Sequence, residues 1–269
     1  MMTKTCETAI QHSTEDMYTS GEFWNELPDF LASQAPGKVS FLSEFIDFNP
    51  IVRNQPDISI ADIGCGVGKV STGLSLQLRD RYPDLKVNVF GFDLSPQAIQ
   101  IAKRENTEGT FICGDFKESS MTWDLAILCD IIEHVPDPDD FICSVARKSR
   151  YFVIGFAMDD NLANRLLKSR REKVNKIGHI SLFHEERAIS VCKKYGKILN
   201  SGYIPNPIAP NFKITRLLHI FTTPLRILLR LLSRRIKGKV FGGESVYVFA
   251  ESTLFSDRMA SRECTAERS

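Results

Sequence analysis

Long apolar runs are missing from this 269-residue chain. Nowhere do roughly 18 uninterrupted apolar residues occur, so no membrane-spanning helix is expected. The first residues mix Lys4, Glu7, Glu15 and Asp16 and lack the apolar stretch of a secretory signal, so export is not expected either. Neither sign of charge dominates: 34 basic residues face 33 acidic ones, leaving +1, and no global field recruits nucleic acid. C-x-x-C pairs are absent. The cysteines number seven, an odd count, and Cys113, Cys129 and Cys143 sit inside apolar runs; they read as reduced core thiols, and a cytoplasmic setting is expected. No internal repeat is present. Acidic residues vanish altogether between Arg187 and Gly243, which marks an abrupt change of composition.

What remains is an ordinary soluble composition, 43% hydrophobic and 25% charged, with length for one large domain. Residues 1–20 read as a loose arm. Val39, Phe41, Leu42, Phe45 and Ile46 recur at helical spacing and predict a lead-in helix over 39–48, stopped by Asn49-Pro50. A regular alternation follows: strands at 58–63, 87–92, 110–113, 125–129 and 151–156, with helices at 70–78 and 97–104 and helical stretches between the later strands. Ser95-Pro96 supplies the N-cap and first turn of the 97–104 helix. Apolar strands alternating with helices predict a parallel sheet covered on both faces, with ligands beyond the strands' carboxyl ends. Further on, 160–174 reads as a charged helix, 185–195 as another, and 197–204 and 245–251 as closing strands.

The stretch ADIGCGVGKV, residues 61–70, must turn sharply from strand to helix, and its glycines let the backbone approach a ligand. The dinucleotide fingerprint requires glycine where Lys69 stands, and the phosphate loop requires Ser or Thr after that lysine where Val70 stands. Both phosphate readings weaken. Asp93 ends the next strand in GFDLS, where a carboxylate can accept hydrogen bonds from ribose hydroxyls. Asp115, beside Phe116 in ICGDF, offers an acceptor and a ring for adenine, and the strand 125–129 delivers Asp130 to the same edge.

The motifs DIGCGVG, GFDLS, ICGDF and WDLAILCDIIEHVPDP, in that order and spacing, resemble those of class I S-adenosylmethionine (SAM)-dependent methyltransferases. The resemblance covers residues 55–204 and the last strand. GHISLF and the late GGESVYVFA are similar to the endings of bacterial small-molecule, surface-polysaccharide and natural-product members. It implies a Rossmann-like, doubly wound, mostly parallel seven-stranded sheet with an N-terminal helical lid and a helical insert before the last strand. By the same resemblance Asp62 with Gly64, Cys65, Gly66 and Gly68 would hold the methionine part of SAM and of its product S-adenosylhomocysteine (SAH). Asp93 and Leu94 would take the ribose side, Asp115 and Phe116 the adenine, and Cys129 and Asp130 would border the methionine amino group and the acceptor.

Because the sulfonium is already electrophilic, such an enzyme mainly aligns and dehydrates its reactants, and needs a base only if the acceptor must lose a proton. His134 and His179 are the candidates. Some methyltransferases with a similar E-x-x-E-H arrangement bind a divalent ion; here Asp130, Glu133, His134 and His179 are the corresponding set, but Asp130 shortens the reach and no metal is expected. Tyr18, Phe23 and Trp24 are candidates for closing the site. Residues 1–54 thus read as arm and lid, 55–255 as the methyltransferase domain with its insert at 212–241, and 256–269 as a flexible tail. Within the insert, residues 213–239 interleave basic and apolar side chains, a pattern for capping the core or resting on an anionic membrane.

The expected function is methyl transfer to oxygen or nitrogen of a small metabolite or sugar. A membrane-surface enzyme acting on a quinone or lipid-linked substrate is the alternative, and a non-catalytic cofactor-binding module is the rival of another class. The amino-methylation signature N/D-P-P-Y is absent after the fourth strand, which disfavours DNA-base acceptors.

Overall fold

The computed structural model describes residues 28–168, 171, 172, 174, 178–205, 233–242 and 244–255. The lid residues Tyr18, Phe23 and Trp24, the tail 256–269 and most of the basic insert lie outside them. Seven strands form one sheet in the order β3-β2-β1-β4-β5-β7-β6. They are β1 (Asp57–Ile63), β2 (Lys86–Asp93), β3 (Thr110–Cys113), β4 (Trp123–Leu128), β5 (Ser149–Ala157), β6 (Gly196–Pro205) and β7 (Glu244–Ser252). The first five run parallel, while β7 inserts antiparallel between β5 and β6. All seven strands stand where the apolar runs predict, because a strand covered on both faces must be apolar nearly throughout.

Helices close both faces: α1 (Pro28–Phe45), α2 (Asn49–Val52), α3 (Lys69–Arg81), α4 (Pro96–Glu105), α5 (Pro138–Lys148), α6 (Leu162–Leu166), α7 (Glu185–Lys193) and α8 (Arg234–Phe241). Ser95 caps α4 by accepting from the Ala98 N–H, as expected. One core layer joins Phe92, Trp123, Phe152 and Phe156 to the α5 and α7 faces. The other seats Leu42 and Phe45 of α1, and Ile46 just after it, with Leu74 and Leu78 of α3 against Tyr247 and Phe249.

Three expectations are corrected. The lead-in helix begins at Pro28 rather than 39 and ends at Phe45, running through Pro36. Its buried face, Ala35, Val39 and Leu42, has helical spacing that begins before Pro36 and continues after it, so packing outweighs the lost hydrogen bond. Asn49-Pro50 does not stop a helix but opens α2, with proline in its first turn. The charged helix expected over 160–174 ends its first described run at Leu166, after Asn161 caps it.

Cys65, Cys113, Cys129, Cys143 and Cys192 are all free thiols. Cys113 is exposed rather than in the core, since β3 is an edge strand that is buried only at Phe111.

Candidate active site

The carboxyl ends of β1, β2, β3 and β4 meet at one edge, and the Gly64–Gly68 bend leaves β1 there for α3. Gly64 (φ 73°) and Gly68 (φ 75°) adopt left-handed backbone. A Cβ on Gly64 would lie 2.3 Å from Ile131 Cδ1, and one on Gly68 2.5 Å from Phe111 Cε1. Only glycine fits either place. The bend is tied to β2 at both levels: Gly64 and Cys65 N–H donate to Phe92 O (2.7 and 3.0 Å), and Gly66 N–H donates to Asp93 Oδ2 (2.9 Å). Asp93 Oδ1 accepts from Ser95 N–H at 2.9 Å, so this carboxylate braces both the bend and the start of α4.

Asp62 is buried, which pushes its carboxyl up to about 6 against the hydrogen bonds from Ser71. Its Oδ2 has no hydrogen-bond partner among the described residues. Burial also raises Asp93, against its backbone hydrogen bonds, and pushes the Cys129 thiol up to about 12. The edge is thus acidic, closely packed at the bend, and carries an orphaned carboxylate oxygen. Its acceptors suit a cationic adenosyl ligand.

The adenine side differs from expectation. Asp115 caps a single 3-10 turn, Phe116–Glu118, by accepting from Lys117 N–H at 2.9 Å. Phe116 is 2% exposed and stands edge-on to Phe141, 5.2 Å between ring centres, so its ring serves the core and offers no face to the crevice. Leu94, by contrast, is 48% exposed directly after Asp93, where an apolar side chain can meet a base.

Beyond β4 the chain turns through Asp130, at φ 56°, into the 3-10 turn Ile132–His134. The segment 178–183 is stapled to this turn: Ile180 and Ser181 N–H donate to Glu133 O (2.9 and 3.0 Å), and Ser181 Oγ donates to Val135 O (2.9 Å). That stapling brings His179 to His134, their rings 4.8 Å apart and edge to face. His134 Nδ1–H donates to Gly178 O at 3.0 Å. Burial, helped by His179, lowers His134 to about 4, so it is neutral at physiological pH. His179 Nδ1–H donates to Asp159 Oδ2 at 2.5 Å, which leaves Nε2 as the acceptor, 3.9 Å from Glu133 Oε1. For His179, burial opposes the proton but Asp159 and Glu133 outweigh it, and the pKa is raised. Glu133, His134 and His179 each present a ligand atom within 4.8 Å of one another, a spacing that a divalent ion can bridge. Asp130, the fourth member of the expected set, is instead paired with Lys38.

Glu133 is fully enclosed. Burial, reinforced by Asp130, pushes its carboxyl from 4.5 up to about 8. Between those values the folded protein binds more protons than the unfolded chain, so Glu133 erodes stability as pH rises through the window. Glu133→Gln is expected to remove that erosion: the variant gains on wild type by up to a few kcal/mol between about pH 5 and about pH 8 in denaturant titrations. A pH-independent difference would contradict the buried-acid assignment. Asp62 has the same sign, but it is common to both proteins and cancels.

Sequence reasoning missed Lys38 and Asp159. Neither residue belongs to a motif, and only the fold brings Lys38 to Asp130 and Asp159 to His179.

Residues 61–150 match a family described as methyltransferase domain. The strand order and the glycine bend agree with that match, and the chain has the fold of SAM-dependent methyltransferases. It is similar to a ubiquinone biosynthesis O-methyltransferase of Colwellia psychrerythraea, 26% identical over 72% of this chain and 86% of the relative. A second protein so named, from Sinorhizobium medicae, is 24% identical over 83% of this chain and 91% of its own length. Among solved structures, the fold is shared with magnesium protoporphyrin IX methyltransferase from Synechocystis PCC 6803 with bound SAH. That match has a TM-score of 0.56 and 15% identity, and covers 91% of this chain and all of the other.

Among the described residues no helix is long and apolar enough to cross a membrane.

Proposed function

We propose that the enzyme methylates an oxygen of a small hydroxylated acceptor, a phenol or quinol, with His179 as the base. The observation that carries this is the Asp159–His179 pair, which fixes the imidazole tautomer and leaves Nε2 as the basic nitrogen in the turn after β4. The names of the curated relatives support an oxygen acceptor of the quinone kind over a sugar or an amine. SAM supplies an electrophilic methyl group when bound.

The chain's own residues do the rest. Gly64, Cys65, Gly66 and Gly68 give the methionine part an uncluttered backbone, with Asp62 beneath it and Cys129 and Asp130 at its side. Asp93 has a lone pair left on each oxygen for the ribose hydroxyls, and Leu94 and Asp115 flank the base. His179 Nε2 takes the acceptor's hydroxyl proton, and Asp159 stabilises the imidazolium that results. His134, held neutral, packs against His179 and fixes its ring plane. If the acceptor carries a lipid tail, the basic apolar residues 213–239 would rest on an anionic membrane.

The test is transfer from methyl-labelled SAM to catechols, hydroxyquinols, sugars and amines, with an isoprenoid-tailed quinol in anionic vesicles as a further arm. Methyl ethers on phenolic oxygens are expected, with turnover unchanged by a chelator. Label confined to sugars or amines would reject the phenolic acceptor. Loss of turnover on chelation, restored by a divalent ion, would reassign Glu133, His134 and His179 as its ligands.

A further inference from the structure

The loop that carries Asp159 is held more firmly than a plain connection needs. Asp159 O accepts from Asn161 N–H (3.1 Å), Asn161 Nδ2 (3.2 Å) and Asn164 Nδ2 (2.9 Å), three donors on one carbonyl. On the other side of the same peptide, Asp160 N–H donates to Phe183 O at 3.0 Å, in the segment that brings His179. Asp159 N–H in turn donates to Ala157 O (2.9 Å), and Asn161 Nδ2 also reaches Met158 O (3.0 Å). Both backbone polar groups of Asp159 are thus engaged, and its carboxylate accepts from His179 Nδ1–H on a fixed main chain.

Asn161 and Asn164 are both buried, and a buried amide must be hydrogen-bonded. Helix capping accounts for only part of what they do. Asn161 Oδ1 accepts from Asn164 N–H (3.0 Å) and caps α6, but a helix this short, with Leu162 and Leu166 exposed, gains little from two buried amides. Their amide nitrogens bond the other way, onto the Asp159 loop. The chain between α8 and β7 closes over them: Gly242 takes φ 65°, and a Cβ there would lie 2.5 Å from Asn161 Nδ2 and 3.0 Å from Met158 O. Only glycine lets that chain cover the amide.

We propose that Asn161 and Asn164 are positioning residues for the reaction: their amide nitrogens clamp the Asp159 carbonyl, the clamp aims the Asp159 carboxylate at His179, and Gly242 roofs it. The inference rests on the reading of His179 as the base and adds to it the groups that act through Asp159. It also ties the chain that returns through α8 and Gly242 to the loop behind the base.

Asn161→Ser separates the clamp from the cap, because serine caps a helix as well as asparagine but has no amide to donate. With methyl-labelled SAM and a catechol, it should lower kcat by about 10- to 100-fold while acceptor KM and SAH affinity stay within about threefold. Asn164→Leu, which nearly keeps the volume, should behave alike. In an Asp159→Ala background no carboxylate remains to aim, so Asn161→Ser should lower kcat by less than about threefold further. A second readout needs no acceptor: in NMR of protein with isotope-labelled histidine, solvent exchange of the His179 Nδ1 proton should quicken by about tenfold or more in Asn161→Ser. Unchanged kcat and exchange, or an equal loss of kcat in both backgrounds, would overturn the proposal and leave the asparagines as caps. Faster exchange without any change in turnover, or wild-type kcat in His179→Ala, would instead overturn the base reading, and this proposal with it.

Discussion

Asp93→Ala is expected to lower affinity for SAH by about 100-fold or more, because two losses coincide. The ribose loses its acceptor, and the bend loses the brace that holds Gly66 N–H at 2.9 Å. A hydrogen bond to a charged group contributes about 1.5–3 kcal/mol, and at least two such bonds go with this one carboxylate. Asp93→Asn separates the two: its amide oxygen can still accept from Gly66 or Ser95 but not from both, so an intermediate loss is expected. Calorimetric titration of the folded variants reads both. Unchanged affinity in Asp93→Ala would mean that the ligand binds elsewhere.

His179→Ala is expected to lower kcat by about 10²–10⁴ while SAH affinity stays within a few-fold of wild type, since proton transfer is lost and the cofactor's contacts are not. The pH profile carries the sign. Asp159 and Glu133 outweigh burial and raise the His179 pKa above 6.5, so the imidazole is blocked by its own proton below that value, and kcat rises with pH through a limb centred above 6.5. Asp159→Asn removes a charge that raises it, so the limb should move to lower pH and the plateau should fall. A limb that does not move would separate Asp159 from catalysis.

The sheet was legible because its strands are doubly covered: an apolar run such as LAILC has one way to be buried, and a parallel sheet provides it. The glycine bend was legible for the opposite reason. Lys69 and Val70 weaken the phosphate-loop readings, while Asp93, Asp115 and Asp130 recur at successive strand ends. Periodicity failed where one residue type has two uses. Phe116 beside Asp115 looks the same whether its ring faces a purine or the core, and the structure puts it in the core. Pro36 suggests a helix break, yet the face from Ala35 to Leu42 is buried well enough to carry the helix through it. His179 was visible as a loop histidine after a glycine. Its partner Asp159 was not, because their contact spans 20 residues of chain and depends on the segment 178–183 being stapled to the turn after β4. Lys38 lay beyond reach for the same reason, with 92 residues separating it from Asp130.

A crystal structure of the enzyme with SAH tests the central claim most directly. The ribose hydroxyls are expected on Asp93, the amino-acid end beside the Gly64–Gly68 bend, and His179 Nε2 facing the sulfur across an open acceptor space. SAH bound away from that bend, or His179 turned from the sulfur with its nitrogen sealed in protein, would contradict the account.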